Sequence, residues 1–418
     1  MTDNLIDSNK SQKYIVPIGP QHPALKEPGH FEFTVEGEIV VDASIRLGYV
    51  HRGVEKAAES RTWTQVLYLV ERVCGICSHA HGTAFIQNAE ALAGIEIPPR
   101  AKVIRAIAGE IERLHSHLLW LGVAAHEGGF DAMFMYSWRD REIVMDILEN
   151  FFGNRVNYSV NIPGGVKEDI TPEFAEQLRI KLDFLEKRLK HYLDVVNDDV
   201  TFRARTVNIG TLGKEEMTRL GATGPTARSA GITRDIRVDR PYSGFDIYPI
   251  NMILDDHGDL NARFVVRLKE CFESIRYIRD VLEKIPEGEL SVKFPRKIPA
   301  GESMSSVEAP RGELFYFVRS NGTENPDRVK VRTASLCNWG TIVSAVAKGH
   351  KLADMPMILA GIDPCFSCND RMVNIVGKEK NAQLWTWEQL RKYGINYHAM
   401  QEGFNVSDCG IEQLREEK

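Results

Sequence analysis

Two Cys-x-x-Cys pairs stand almost a whole chain apart: Cys74 and Cys77 in ERVCGICSHAHG, and Cys365 and Cys368 in GIDPCFSCNDR, with 287 residues between them. The two-residue spacer lets both sulfurs of a pair face one centre. Thiolates select zinc, iron–sulfur or other soft transition-metal sites over magnesium or calcium. A zinc ribbon closes a small loop, its pairs roughly 15–20 residues apart. Here a shared centre would require the fold to bring both ends of the chain together. Spacing alone leaves a zinc or cubane site, a redox or catalytic metal, and coincidence all open.

The neighbours of the pairs narrow the choice. Arg72 precedes the first pair and His81 follows Cys77 by four positions; Asp363 and Pro364 lead into Cys365, and Arg371 follows Cys368 by three. RGVE at 52–55 and EAPRGEL at 308–314 lie between them in order. This set resembles the large subunit of nickel–iron hydrogenases. The segments GPQHPAL (19–25), RLHSHLLWLG (113–122), GNRVNYS (153–159), PGGVKEDI (163–170) and GATGPTAR (221–228) look like the energy-converting, membrane-bound group and its relative, the 49 kDa quinone-site subunit of complex I. That relative lacks the four metal cysteines, which this chain keeps. The likeness runs from about Tyr14 to Arg371.

The resemblance implies a nickel–iron centre whose iron carries carbonyl and cyanide ligands. Cys74 and Cys365 would be terminal nickel ligands, and Cys77 and Cys368 would bridge nickel and iron. Arg311 matches the arginine above the open metal position, and Asp363 the carboxylate that orients it. A guanidinium's fixed fork of donors suits that task. His81 would hydrogen-bond the Cys77 sulfur and tune it. Glu27 is the candidate proton relay, because the energy-converting hydrogenases carry a glutamate there, where the quinone-binding relative tends to have histidine–glycine at Lys26–Glu27. Glu55 matches a glutamate that in many relatives helps hold magnesium; the other side-chain ligand there is a histidine where this chain has Arg371, which points to a Glu55–Arg371 pair in place of the ion. Activity would be reversible reduction of protons to dihydrogen with electrons from ferredoxin, coupled to ion transport. Implied partners are a small subunit with a [4Fe–4S] cluster, a ferredoxin-type electron-transfer subunit, membrane antiporter-like subunits and a maturation protease. A quinone or sulfur reductase module, and a zinc-bearing structural subunit without turnover, are the competing readings.

Composition agrees with a redox subunit. The 418 residues are 43% hydrophobic, enough for a large core, and the net charge of −6 argues against nucleic acid as a partner. No apolar run reaches the roughly 18 residues that a transmembrane helix needs, and the N-terminus carries no signal-peptide pattern. Seven cysteines, an odd number, fit a reducing compartment better than a disulfide framework. The expected place is the cytoplasmic face of a membrane, held there peripherally by partners.

The expected architecture is α+β, mainly α: the hydrogenase large-subunit fold, with a helical bundle core, an N-terminal β-hairpin or sheet and a second β-rich excursion. The segments are 1–60 (β-rich), 61–285 (helical core with the first pair), 286–335 (β-rich), 336–371 (helix and second pair) and 372–418 (extension). FEFTVEGEIVVDASI alternates around Gly37 as a hairpin does, whereas residues 61–94, 100–122, 136–152, 172–199 and 261–284 carry helical spacing. Residues 1–12 are polar and read as frayed. His115 and His117, two apart on a helix, cannot face the same way and read as packing or helix-contact residues. Cys271 and Cys337 read as small apolar residues, and Cys409 lies in the tail. The resemblance implies that a protease removes the extension after Arg371 once nickel is inserted.

Overall fold

The computed structural model describes residues 13–341, 345, 347, 349–369, 374–376, 382–384 and 387–399. Its first sheet is a three-stranded antiparallel meander, β1 (Lys13–Ile18), β2 (His30–Glu36) and β3 (Ile39–Arg46). Gly37 supplies the positive φ, 63°, that the expected β2–β3 turn needs. Strand β1 carries no such turn signal and escapes the sequence pattern. Alternation buries Phe31, Phe33, Val35 and Val40 on one face, against Trp339, Met355, Ile358 and Phe366.

Helices α1 (Val54–Ala58), α2 (Trp63–Glu71) and α3 (Ser78–Ala93) follow. Thr62 and Gln65 form a capping box at the start of α2, and Gly94, at φ 66°, ends α3. The bundle is built from α4 (Pro99–Glu127), α5 (Asp131–Phe152), α6 (Pro172–Asp198) and, later, α11 (Leu260–Leu282). On α6 the expected stripe of Phe174, Leu178, Leu182 and Leu185 faces the core, Phe174 partly buried and the three leucines fully, and Leu189 continues it; each fully buried leucine contributes about 1.5–3 kcal/mol. The small hairpin β4 (Asn161–Ile162) and β5 (Gly165–Val166) precedes α6. Four short helices lie between α6 and α11: α7 (Val200–Thr206), α8 (Lys214–Arg219), α9 (Gly224–Arg228) and α10 (Ile236–Asp239). They are too brief for a hydrophobic period to show.

The second excursion is another antiparallel meander, β6 (Gly301–Ala309), β7 (Gly312–Ser320) and β8 (Pro326–Arg332). Its apolar face, Val307, Leu314, Tyr316, Val318 and Val329, packs with α2 and α3 in one cluster that also contains all four paired cysteines. Helix α12 (Ala334–Thr341), a 3-10 turn (Leu352–Asp354) and α13 (Met355–Ala360) then deliver the second pair. Beyond it, β9 (Asn374–Val376) pairs with β10 (Ala382–Leu384), and α14 (Trp387–Ala399) follows. The architecture is thus mixed α and β, dominated by helices with small separate sheets. Residues 1–12, Arg371 and Cys409 lie outside the described residues, so the frayed terminus, the Glu55–Arg371 pair and the cleavage at the tail do too.

Candidate metal centre

The four cysteines converge. Cys74 lies in the loop after α2, and Cys77 is the N-cap residue of α3. Cys365 and Cys368 sit in the turn after α13. The Cys365 sulfur is 3.6 Å from Cys74 and 3.1 Å from Cys368, and Cys77 is 4.0 Å from Cys368. All four are buried. Backbone donors and side chains fix the loops. The Ile76 N–H points at the Cys74 sulfur at 3.4 Å, Cys365 N–H donates to Ser335 Oγ at 3.3 Å, and Asn369 ties Thr333 to the Cys365 carbonyl.

So many sulfurs in so little water-free space cannot all ionise unaided. Hydrogen bonds from Cys365, then Cys368 and Cys77, hold the Cys74 thiol well below its ordinary range. Cys368, hydrogen-bonded to Cys365, Cys74 and Cys77 in turn, is pushed well above it. A cationic metal is what allows the whole set to become thiolate, as soft-metal coordination requires.

Arg311 and Asp363 close the roof. Arg311 Nε donates to the Asp363 carbonyl at 2.8 Å and Nη2 to Asp363 Oδ1 at 2.7 Å, both groups buried. The turn that carries Arg311 is seated by glycines: a Cβ on Gly224 would meet the Arg311 carbonyl oxygen at 2.3 Å, and one on Gly312 would meet Gly224 at 2.7 Å. Arg311 Nη1 and Asp363 Oδ2 are buried without a hydrogen-bond partner among the described residues. Both fit a group additional to the polypeptide. Asp363 itself has φ 57°, an uncommon conformation for a non-glycine residue. An apolar cavity of about 80 Å³ reaches this roof and is lined by Leu25, Glu27, Trp120, Arg311, Asp363 and Cys365 among others.

His81 sits where the two cysteine loops meet. Its Nε2 lies 3.6 Å from the Cys368 sulfur, which comes from the far end of the chain, while Nδ1 meets the Tyr316 hydroxyl at 2.6 Å. The four-residue spacing pointed to Cys77, whose sulfur also lies within 4.8 Å of the ring nitrogen and of Cys368. Tyr316 on β7 fixes the ring, a partner that no local pattern announces. Glu27 is half-buried and accepts from Phe366 N–H at 2.6 Å, Ser367 N–H at 3.2 Å and the Ser367 hydroxyl. Glu55 accepts from Val331 N–H at 3.0 Å and lies 3.6 Å from Lys330 and 3.9 Å from Arg328.

Several residues at the site went unseen in the sequence. Arg52, the first residue of RGVE, donates to the carbonyls of Arg72 (2.8 Å), Val73 (2.6 Å) and Ser367 (3.2 Å), so one guanidinium joins both cysteine loops. The motif was the available signal. Glu112 on α4 accepts from His79 and Ala80 N–H at 2.7 and 3.0 Å, the first-turn donors of α3, and thereby fixes the helix that Cys77 begins. Desolvation pushes the Glu112 carboxyl up to about 8. His115 and His117 are buried, His117 making a contact between helices: His115 meets Tyr158 at 2.8 Å and His117 meets Glu270 of α11 at 2.9 Å. Glu270 in turn pairs with Arg228, which also pairs with Glu308.

Comparisons with known proteins agree with this architecture. Residues 52–122 match the family described as nickel-dependent hydrogenase, and residues 128–298 and 290–371 match the respiratory-chain NADH dehydrogenase 49 Kd subunit. The chain is 38% identical to the carbon monoxide-induced hydrogenase of Rhodospirillum rubrum, over 86% of this chain and 99% of that one. It is 38% identical to the membrane-bound hydrogenase subunit alpha of Pyrococcus furiosus, over 91% and 92%. Among solved structures, a chain of the membrane-bound sulfane sulfur reductase, an archaeal respiratory membrane complex, superposes with a TM-score of 0.82 at 30% identity, covering 86% of this chain and 98% of that one. The chain belongs to the family that unites the large subunits of membrane-bound hydrogenases with the 49 kDa subunit of respiratory complex I.

Proposed function

We propose that this chain is the catalytic subunit of an energy-converting nickel–iron hydrogenase, reducing protons to dihydrogen reversibly with electrons from ferredoxin. The observation that carries the reading is the buried array of four cysteine sulfurs, beside a buried Arg311 nitrogen that has no hydrogen-bond partner among the described residues. When bound, a nickel–iron pair with carbonyl and cyanide on iron would supply reversible redox change and an open position for hydrogen. Cys74 and Cys365 would hold nickel, and Cys77 and Cys368 both metals. His81 would donate to the Cys368 sulfur and moderate its charge. Asp363 holds the Arg311 fork through Nε and Nη2 and leaves Nη1 without a partner among the described residues, available to the centre. Glu27, bonded to the backbone between Cys365 and Cys368, is positioned to take a proton from the second loop and pass it outward. Glu55, already engaged with β8, is a weaker candidate for magnesium.

The partners would be a small subunit with a [4Fe–4S] cluster, a ferredoxin-type subunit and antiporter-like membrane subunits, holding the chain at the cytoplasmic face. No described helix is long and apolar enough to cross a membrane, and the relatives are subunits of membrane complexes. A maturation protease would remove the segment after Arg371; an intact mass of active protein that included Lys418 would sink that point. A sulfur reductase module is the second reading, favoured by the superposition with the sulfane sulfur reductase chain. Infrared spectroscopy with metal analysis of the anaerobically purified complex separates them. Carbonyl and cyanide bands with about one nickel per chain support the hydrogenase. Zinc without such bands, or sulfur reduction without hydrogen evolution, refutes it.

A further inference from the structure

A small cavity of about 20 Å³ lies behind the start of α3, lined by His79, Thr83, Gly109, Glu112, Arg113 and Tyr242 among others. One water needs roughly 10–15 Å³ and two to four polar partners. The walls offer such partners. The Thr83 hydroxyl oxygen accepts from Asn161 Nδ2 at 3.0 Å and lies 3.3 Å from His79 Nε2, whose own hydrogen goes to the Arg105 carbonyl at 2.8 Å; the Thr83 proton is left to donate. The Tyr242 hydroxyl accepts from Glu308 N–H at 2.9 Å and likewise keeps its proton to give. Arg113 Nε is buried without a hydrogen-bond partner among the described residues. The space is also kept open at the expense of α4. Gly109 stands in the middle of that helix with ordinary helical backbone, where glycine is less stable than alanine. No neighbour demands it: outside its own helix, a methyl group there would meet the His79 ring at 3.7 and 3.9 Å, an ordinary contact. What the methyl would take is room in the cavity.

Glu112 is the acid that this room serves. Arg105, Glu110 and Glu308 border the cavity too, but each is paired, with Glu90 at 2.7 Å, Arg237 at 3.0 Å and Arg228 at 2.8 Å. The Glu112 carboxyl accepts from the His79 and Ala80 N–H groups, with no cation within ion-pair distance among the described residues. Desolvation lifts it to about 8; the Cys74 charge adds to the rise, and the two backbone donors and Arg113 oppose it. An acid sealed in this way titrates only through a neighbour that takes its proton and returns one. We propose that the cavity holds one ordered water, which accepts from protonated Glu112 and turns to donate to its carboxylate, making Glu112 a proton-exchanging acid behind the first cysteine loop. The exchange is one for one: Glu112 gives its proton to the water oxygen and receives one of the water's own, and replacement of that water from solvent carries protons in and out. The centre then has a carboxyl behind each cysteine loop, Glu112 and Glu27, whatever metal it holds.

Infrared spectra of the assembled complex, followed after transfer into heavy water at about pH 6, where the acid holds its proton, read the exchange directly. The carbonyl stretch of the protonated carboxyl reports it, and Glu112→Gln assigns the band by removing it. Gly109→Ala fills the cavity without touching the acid and should slow the exchange by about tenfold or more, because it must then await local opening. Thr83→Val, which keeps the shape and removes one donor to the water, should slow it in the same direction. Gly109→Ser is bulkier but puts a hydroxyl where the water stood, and should exchange at a rate nearer to wild type than Gly109→Ala does. No Glu112 band in wild type, or unchanged exchange in Gly109→Ala, overturns the proposal. So does a Gly109→Ser variant slowed as far as Gly109→Ala, since bulk alone would then account for both. Should Gly109→Ala fail to assemble, unchanged exchange in Thr83→Val overturns it equally.

Discussion

Replacing Glu112 by glutamine should change how the stability of this protein responds to pH. The carboxyl is fully buried, and desolvation lifts it from an ordinary 4.5 to about 8 despite two backbone donors. An acid held more tightly protonated in the fold stabilises it fully below the unfolded value. That contribution is lost as pH climbs through the folded value. About three and a half pH units at ~1.4 kcal/mol each correspond to ~5 kcal/mol, drained between about pH 4.5 and 8. The amide is neutral throughout, but its NH2 cannot accept, so one of the two backbone N–H groups loses its partner at a cost of about 1–3 kcal/mol at every pH. The difference between the two proteins should therefore not be constant: from about pH 5 to pH 9 the variant should gain up to ~5 kcal/mol on the wild type. Urea unfolding of the two complexes across this range measures the difference. Glu71 and Glu308, both lifted to about 7, act alike in both proteins and cancel. Parallel profiles from pH 5 to 9 would refute the assignment of a buried, proton-holding Glu112.

Three further outcomes follow from the site. Cys368→Ser should abolish nickel retention, measured by elemental analysis, because that sulfur lies within 4.0 Å of both Cys365 and Cys77; normal nickel would remove Cys368 from the ligand set. Glu27→Gln should leave nickel and infrared bands in place yet cut hydrogen evolution by about 10²-fold or more, the scale of a lost proton-transfer group; unchanged turnover would exclude it as the relay. Arg311→Lys, which loses the two-point grip on Asp363, should cost about 2–3 kcal/mol of activation free energy in deuterium–proton exchange; a wild-type rate would show that the fork does not matter.

The cysteine pairs and their flanks disclosed the centre because ligands must be of particular types at particular spacings. The hairpin at Gly37 and the long helices were legible for a similar reason, since a turn needs a positive φ and an amphipathic helix needs a period. Tertiary partners left no such trace. Tyr316 reaches His81 across 235 positions, and Arg52 reaches Ser367 across 315. Neither has a local signature. The polar residues of α4 are buried by partners that its local pattern does not announce: Glu110 pairs with Arg237 of α10, Arg113 and His117 with Glu270 of α11, while Glu112 meets the start of α3 and His115 meets Tyr158. The spacing that linked His81 to Cys77 could not foresee that Cys368, from the far end of the chain, would also reach it.

The separation of Cys74 and Cys365 makes the site a clasp between the two ends of one polymer. Closing a loop of 291 positions costs ~6 kcal/mol of chain entropy. The body folded between the two loops meets that cost, since it sets the sulfurs 3.6 Å apart. The two cysteine loops therefore cannot part independently: opening either one disturbs the other, and the cysteine cluster reports on the integrity of everything threaded between them.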